Sequence, residues 1–352
     1  MPFASCVVLV LALAPLALWP QNSSPLSPKL DGVLIKSTVE SAADLIHREY
    51  FDPDLAAKLG AALRQWLAED RYANLKTPEA LASALTSDLD SFSHDKHLAV
   101  TVIPSNADPA HGGGAYGGPG ASKQSRAEAV RVSNAGVQRV EILSGNVGYL
   151  NVTSFVRPAE EAGAIAGAMH MLRNADAAIL DMRDNSGGSP DTAALLASYF
   201  FDAPKLPLFE IVPRSGNIER YATETVADQN GKRPLYVLTS AHTWSAGEGV
   251  AFILQERHRA EIVGETTVGA ANPGKPYPIN TTFSITIPNS RVRSTVRGTN
   301  WEGVGVVPDT AVPASDALRV AQAHALRQLM GQTPPGLRHD QLQHELAMIQ
   351  AQ

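Results

Sequence analysis

A chain of 352 residues with 44% hydrophobic content can fill one large core or two ordinary ones. Its net charge of −6 supplies no basic footprint for nucleic acid, and no long charge run marks a solvated tail. The single cysteine, Cys6, lies in an apolar N-terminal stretch, so neither a disulfide framework nor a thiolate nucleophile is expected of a processed chain.

Residues 1–24 hold an apolar core from Val7 to Trp19 that is short and broken by Pro15, the pattern of an export signal, with a retained N-terminal anchor as the alternative. From 31 to 92, apolar residues recur at helical spacing in three blocks and predict a small helical domain. Thr77-Pro78-Glu79 opens the third block as a cap, a first-turn proline and an acid. Residues 93–104 then turn into a strand from Leu98 to Ile103 that ends at Pro104 and contributes to the core. The glycine-rich run at 105–128 reads as a flexible loop, with His111 solvated within it.

Beyond it, strands alternate with helices. Strands are expected at Val137–Leu143, Val147–Val152 and Ala177–Met182, with an alanine-rich helix from Ala159 to Arg173 before the third and another helix after Pro190. A buried strand from Pro234 runs into a helix beginning near Ser245, and a strand follows at Ala260–Val263. A β-hairpin is predicted across Thr282–Val296 with its bend at Pro288-Asn289-Ser290, and residues 331–352 are read as a C-terminal tail. Strands separated by helices predict a mixed α/β core over 137–330.

A serine at a strand-to-helix junction stands where unpaired backbone N–H groups and the helix dipole stabilise an oxyanion. The ordinary reading of Ser245 is a helix cap, and other segments decide between the two. A hydroxyl needs a base, and His97 sits in a polar turn before a strand, with His94 its nearest rival. His242 is close to Ser245 in sequence only, while His47, His170, His258 and His324 fall in helical patterns and read as surface or core residues. Glu302, flanked by glycines in Trp301-Glu-Gly-Val-Gly, offers an acceptor for the base, or is a surface glutamate in a turn. Gly187 and Gly188 follow a buried strand and free backbone N–H groups to face an anion, and the N–H of Ala246 is a second donor; a plain turn is the alternative. No cofactor motif stands out. His94 and His97 have metal-ligand spacing without an identifiable third ligand, so a metal-independent protein is expected.

Together, Ser93-His-Asp-Lys-His-Leu98, Gly145-Asn-Val-Gly-Tyr-Leu150, Asp181-Met-Arg-Asp-Asn-Ser-Gly-Gly188, Thr239-Ser-Ala-His-Thr-Trp-Ser-Ala-Gly-Glu248, Gly264-Glu-Thr-Thr-Val-Gly269 and Trp301-Glu-Gly-Val-Gly-Val-Val-Pro-Asp309 resemble the C-terminal processing (tail-specific) protease family. The likeness is closest to the branch of interphotoreceptor retinoid-binding protein and its bacterial relatives. It implies a crotonase/Clp-protease-like α/β core of β-β-α units behind an N-terminal helical domain. It also implies a serine peptidase acting on peptide or protein substrates, and the apolar segment from Val7 to Trp19 predicts an exported, periplasmic or secreted setting for it. Members of the Ser-Lys type carry a lysine after Gly-x-x-Thr-x-Gly, where this chain has Ala270; Lys275 is the next lysine. The resemblance therefore implies the tricorn-like arrangement of Ser245, His97 and Glu302, although Lys96 replaces the serine that precedes the histidine there. The stretch 105–137 is too short for the PDZ domain that many members insert. The branch also implies an alternative, a non-catalytic protein binding retinoid or fatty acid on the same scaffold.

Overall fold

A computed structural model of the chain describes residues 30–103 and 123–351. The export segment at 1–24 and most of the glycine-rich run lie outside the described residues.

The three expected N-terminal helices are α1 (Gly32–Glu49), α2 (Pro53–Ala68) and α3 (Pro78–Ser93). Each begins on a side chain that accepts an otherwise orphan N–H: Asp31 from Leu34, Asp52 from Asp54 and Leu55, and Thr77 from Ala80. Proline at the first position of α2 and α3 needs no such partner. The helix α3 ends on His94 in the left-handed conformation, φ 57°, and this turn sends the next residues back toward the core and into strand β1 (Ala99–Val102).

The helical core does not close on itself. Ile46, Leu59, Leu63, Leu81 and Leu85 pack with Phe283, Ile285 and Ile287 of β10 (Phe283–Pro288), which pairs antiparallel with β1 on one side and β9 (Gly274–Pro278) on the other. Strands from late in the chain thus cover the apolar faces of the first helices.

The central sheet has six strands in the order β12 (Thr310–Ala311), β8 (Glu261–Gly264), β7 (Leu235–Thr239), β4 (Ala177–Asp181), β3 (Val147–Val152), β2 (Val137–Leu143). All neighbours are parallel except β2 and β3. Period-2 alternation divides its two faces. Leu180, Leu235 and Val237 face α5 (Pro158–Met171), α6 (Pro190–Ser198) and α7 (Ala246–Glu256), whereas Ile179, Tyr236 and Leu238 face α8 (Ala314–Gln332) and α9 (Leu337–Gln350). Burial on both sides explains why β4 and β7 read as continuous apolar runs. The chain is a mixed α/β protein with a helical N-terminal region.

Three expectations are corrected. The hairpin across Thr282–Val296 does not form: β10 joins β1 and β9, while β11 (Ser290–Ser294) joins a third sheet in the order β11, β5 (Pro207–Pro213), β6 (Glu219–Ala222). The Asn289 carbonyl accepts the N–H of Arg214 and its own N–H donates to Pro273, so the bend hands the chain from one sheet to another. Residues 331–352, read as a tail, contain α9, whose Leu342 and Ile349 are buried against the α8 layer. Within the glycine-rich run, helix α4 (Lys123–Val132) begins before the loop was expected to end. The strands β5, β6 and β9 were not anticipated; each is partly exposed, with weak alternation.

Candidate active site

The site lies at the C-terminal ends of β4 and β7, where Ser245 is the residue before α7. Its backbone is at φ 51°, ψ −118°, a conformation that costs an L-residue about 1–3 kcal/mol and persists only when the surroundings enforce it. The enforcement comes from both sides. The Trp244 N–H donates to the Asn185 carbonyl at 2.8 Å, and the Ser245 N–H donates to Glu248 Oε2 at 2.7 Å. The Glu248 carboxylate also accepts from Thr267 Oγ1 and the Gly269 N–H, both at 2.6 Å, and from the Ala270 N–H at 2.9 Å. Burial raises its pKa, with those four donors opposing the shift.

Gly187 packs directly beneath the serine. A Cβ at that position would stand 2.7 Å from Ser245 Cβ, and φ is +81°. The two paired glycines are not equivalent. The Gly187 N–H donates to Asn185 Oδ1 at 2.8 Å and is engaged. Gly188 sits opposite Phe155 in a parallel bridge whose bonds come from its neighbours, the Gly187 carbonyl and the Ser189 N–H, so its own N–H points away from Phe155. Gly188, Ser245 and Ala246 line one apolar pocket together with Phe209, Ile253 and Trp301.

His97 approaches through Trp244. Their rings meet edge to face with centroids 5.6 Å apart. Its Nδ1 is shielded from solvent and has no hydrogen-bond partner, and burial pushes the ring pKa down to about 4. Glu302 anchors one oxygen, Oε2, on the N–H groups of Ala271 and Asn272 at 2.7 and 2.8 Å, while Oε1 is shielded from solvent without a well-formed hydrogen bond, the Lys96 backbone N–H being near enough to the carboxylate to oppose the rise of its pKa. One ligand-capable atom from each of His97, Glu302 and Asp95 falls within 4.8 Å of the others. Burial raises the Glu302 pKa, and the Asp95 charge raises it further.

Asp95 is the residue that the sequence reading passed over. It is 1% exposed, accepts from the Tyr50 hydroxyl at 2.9 Å and the His97 N–H at 3.1 Å, and thereby fixes the turn that carries the histidine. Its signal was an acid two residues before a candidate base. Glu248 was also unassigned, and its signal was an acid in the first turn after Ser245.

The other candidates lie apart from this cluster. Lys96 turns its ammonium to Asp90 at 2.7 Å, His94 caps α3, His242 is exposed, and Lys275 is exposed on β9. Ala270 contributes only its N–H, to Glu248.

The fold and cluster define a class: a mixed α/β protein presenting a serine at a helix N-terminus, with a histidine from a distant segment packed on the tryptophan that precedes the serine and a glutamate in that histidine's cluster. The chain belongs to peptidase family S41. Residues 146–312 match the model of that family, and residues 33–133 match the model described as the N-terminal domain of Peptidase_S41 in eukaryotic IRBP. It is 30% identical over 174 residues to carboxyl-terminal-processing peptidase 2, chloroplastic, of Arabidopsis thaliana, covering 49% of this chain and 33% of the relative. It is 30% identical over 169 residues to the carboxyl-terminal-processing protease of Synechocystis sp., covering 47% and 38%. The match thus spans little more than a third of these relatives' length. The fold is similar to that of mature CPAF, with TM-score 0.59, 12% identity, and coverage of 87% of this chain and 99% of that one. It is also similar to tricorn protease, with TM-score 0.51, 12% identity, and coverage of 90% and 37%.

Proposed function

We propose that the protein is a serine endopeptidase of the carboxyl-terminal-processing type, with Ser245 as nucleophile, His97 as base and Glu302 as the group that orients it. The observation that carries the reading is the pair of shielded, partnerless atoms, His97 Nδ1 and Glu302 Oε1, in one cluster whose histidine packs on Trp244, the neighbour of Ser245. Buried polar atoms are rarely left unpaired, and an Nδ1–H donated to Glu302 would satisfy both.

In this mechanism the Nε2 lone pair of His97 takes the Ser245 proton as Oγ attacks the peptide carbonyl carbon. Glu302 stabilises the imidazolium, and His97 returns the proton to the leaving amine. Burial favours a neutral ring in the resting protein, which keeps the lone pair available. The oxyanion is held by the N–H groups of Gly188 and Ala246; the engagement of Gly187 with Asn185 favours Gly188 over it. The apolar pocket beside Ser245 receives a side chain of the substrate.

Selection by a PDZ domain between the two matched regions is not part of this reading, because the matches end at 133 and resume at 146. Export rests on the apolar segment from Val7 to Trp19. Among the described residues, no helix is long and apolar enough to cross a membrane.

Labelling the purified protein with a fluorophosphonate and mapping the adduct by mass spectrometry tests the assignment; the label should fall on Ser245 and require His97. Peptide hydrolysis should vanish with Ser245→Ala, fall no further with Ser245→Ala combined with His97→Ala, and survive Lys275→Ala. Protein that binds retinoid or fatty acid but neither labels nor cleaves would establish the binding-protein alternative.

A further inference from the structure

A histidine base needs one orienting carboxylate, and this cluster holds two. Asp95 and Glu302 both lie against His97, and each carboxyl has its pKa raised, chiefly by burial. The adjacent cation does not neutralise them, because Lys96 gives its ammonium to both oxygens of Asp90 at 2.9 and 2.7 Å. One nitrogen and one oxygen of the cluster, His97 Nδ1 and Glu302 Oε1, are shielded from solvent and without partners. An N,O,O donor set whose two carboxyl groups the adjacent lysine leaves unneutralised is the chemistry that a divalent first-row cation takes, the ion displacing the carboxyl protons.

We propose that Asp95, His97 and Glu302 bind one zinc ion, and that the bound ion switches the peptidase off. Zinc would hold His97 Nδ1 at about 2.0–2.1 Å and carboxylate oxygens at about 2.0–2.2 Å, which places tetrahedral ligand atoms about 3.3 Å apart. The triangle, whose atoms lie within 4.8 Å of one another, must therefore close by up to about 1.5 Å. Oε1 of Glu302 has no bond to lose in that movement, while Oε2 keeps its two N–H donors as a hinge. Asp95 is preset by the Tyr50 hydroxyl and the His97 N–H. Two carboxylates balance the ionic charge.

Inhibition follows from the tautomer. A ring coordinated through Nδ1 carries its remaining proton on Nε2, so it has no lone pair for the Ser245 hydroxyl, and Glu302 no longer accepts from it. Binding rests on the geometry alone, whereas inhibition rests also on the catalytic reading above.

Metal-free protein titrated with zinc chloride by calorimetry, and with cobalt(II) by visible absorption, separates the two. One site per chain is expected, and His97→Ala, Glu302→Gln and Asp95→Asn should each weaken it at least about tenfold, with folding checked by thermal melting. If Asp95→Asn does not fold, the other two variants decide. Ser245→Ala should bind zinc as the wild type does, because serine is not a ligand. Stoichiometric zinc should abolish peptide hydrolysis, and a chelator should restore it. No binding below millimolar zinc, or equal affinity in His97→Ala, overturns the site; full turnover with the cobalt spectrum saturated overturns the inhibition. A metal-free protein that cleaves nothing instead refutes the catalytic reading, and the titrations still decide whether the zinc site exists.

Discussion

Replacing Glu248 isolates what holds the nucleophile in place. Its two oxygens accept four bonds, Oε1 from Thr267 and Gly269 and Oε2 from Ser245 and Ala270. In Glu248→Gln the amide oxygen would take the Ser245 and Ala270 N–H groups, which cannot reverse, and the NH2 would face Thr267 and Gly269. The Thr267 hydroxyl can rotate to accept, so a single N–H, that of Gly269, is left opposed. One buried unsatisfied donor costs about 1–3 kcal/mol. Glu248→Ala instead strands three backbone N–H groups, at least about 3 kcal/mol and as much as about 9, comparable with the whole stability of a domain. It also releases Ser245 from its strained φ. Urea unfolding followed by fluorescence gives the two stabilities, and the fluorophosphonate labelling rate reports the serine geometry. The alanine variant should be the less stable by at least about 2 kcal/mol and should label far more slowly, while glutamine keeps most of the labelling. Equal stabilities, or equal labelling rates in folded samples of both variants, would show that Glu248 does not hold the serine.

Because His97 has a folded pKa near 4 against an ordinary 6.5, the unfolded chain binds the extra proton between these values and stability falls as pH drops through that window. At pH 5 the loss is about 2 kcal/mol, so His97→Asn should be less destabilising, relative to wild type, at pH 5 than at pH 7.5; a constant difference in urea melts at the two pH values would count against the burial. The raised Glu302 pKa acts in the opposite direction, with its folded form holding a proton that the unfolded chain releases as pH rises. Its influence is present in both proteins of the comparison. Gly188→Ala would put a Cβ 1.9 Å from the Phe155 carbonyl oxygen at φ +132°, and should cost about 2–5 kcal/mol in a thermal or urea melt. Leu342→Ala, on the buried face of α9, should cost about 2–5 kcal/mol; a change under about 0.5 kcal/mol would return that helix to the status of a tail.

Elements whose signals are local were legible. The cap at Thr77, the continuous apolar runs of β4 and β7, and the junction at Ser245 all lie within a few residues of what they specify. The Thr282–Val296 hairpin was misread because two alternating segments joined by Pro-Asn-Ser look alike whether they pair with each other or with strands elsewhere. Their partners, Ala99–Val102, Gly274–Pro278 and Pro207–Pro213, are chosen by which apolar faces remain uncovered. The α9 helix was missed because its pattern buries only Leu342 and Ile349.

Hydrophobic periodicity, capping chemistry and motif order sufficed for an α/β fold with a helical front, and for Ser245, His97 and Glu302 as candidates. The gathering of His97 with Glu302, and its packing on Trp244 next to Ser245, required the tertiary structure, since contact between segments far apart in the chain depends on sheet order and on turns such as the left-handed cap at His94. Tertiary structure also distinguished Gly188 from Gly187, because only the placement of Asn185 reveals which N–H is already bonded. It brought Asp95 against Glu302 as well. Burial raises the pKa of both carboxyls, and each charge opposes the other's ionisation only once the chain has folded and removed water from around them.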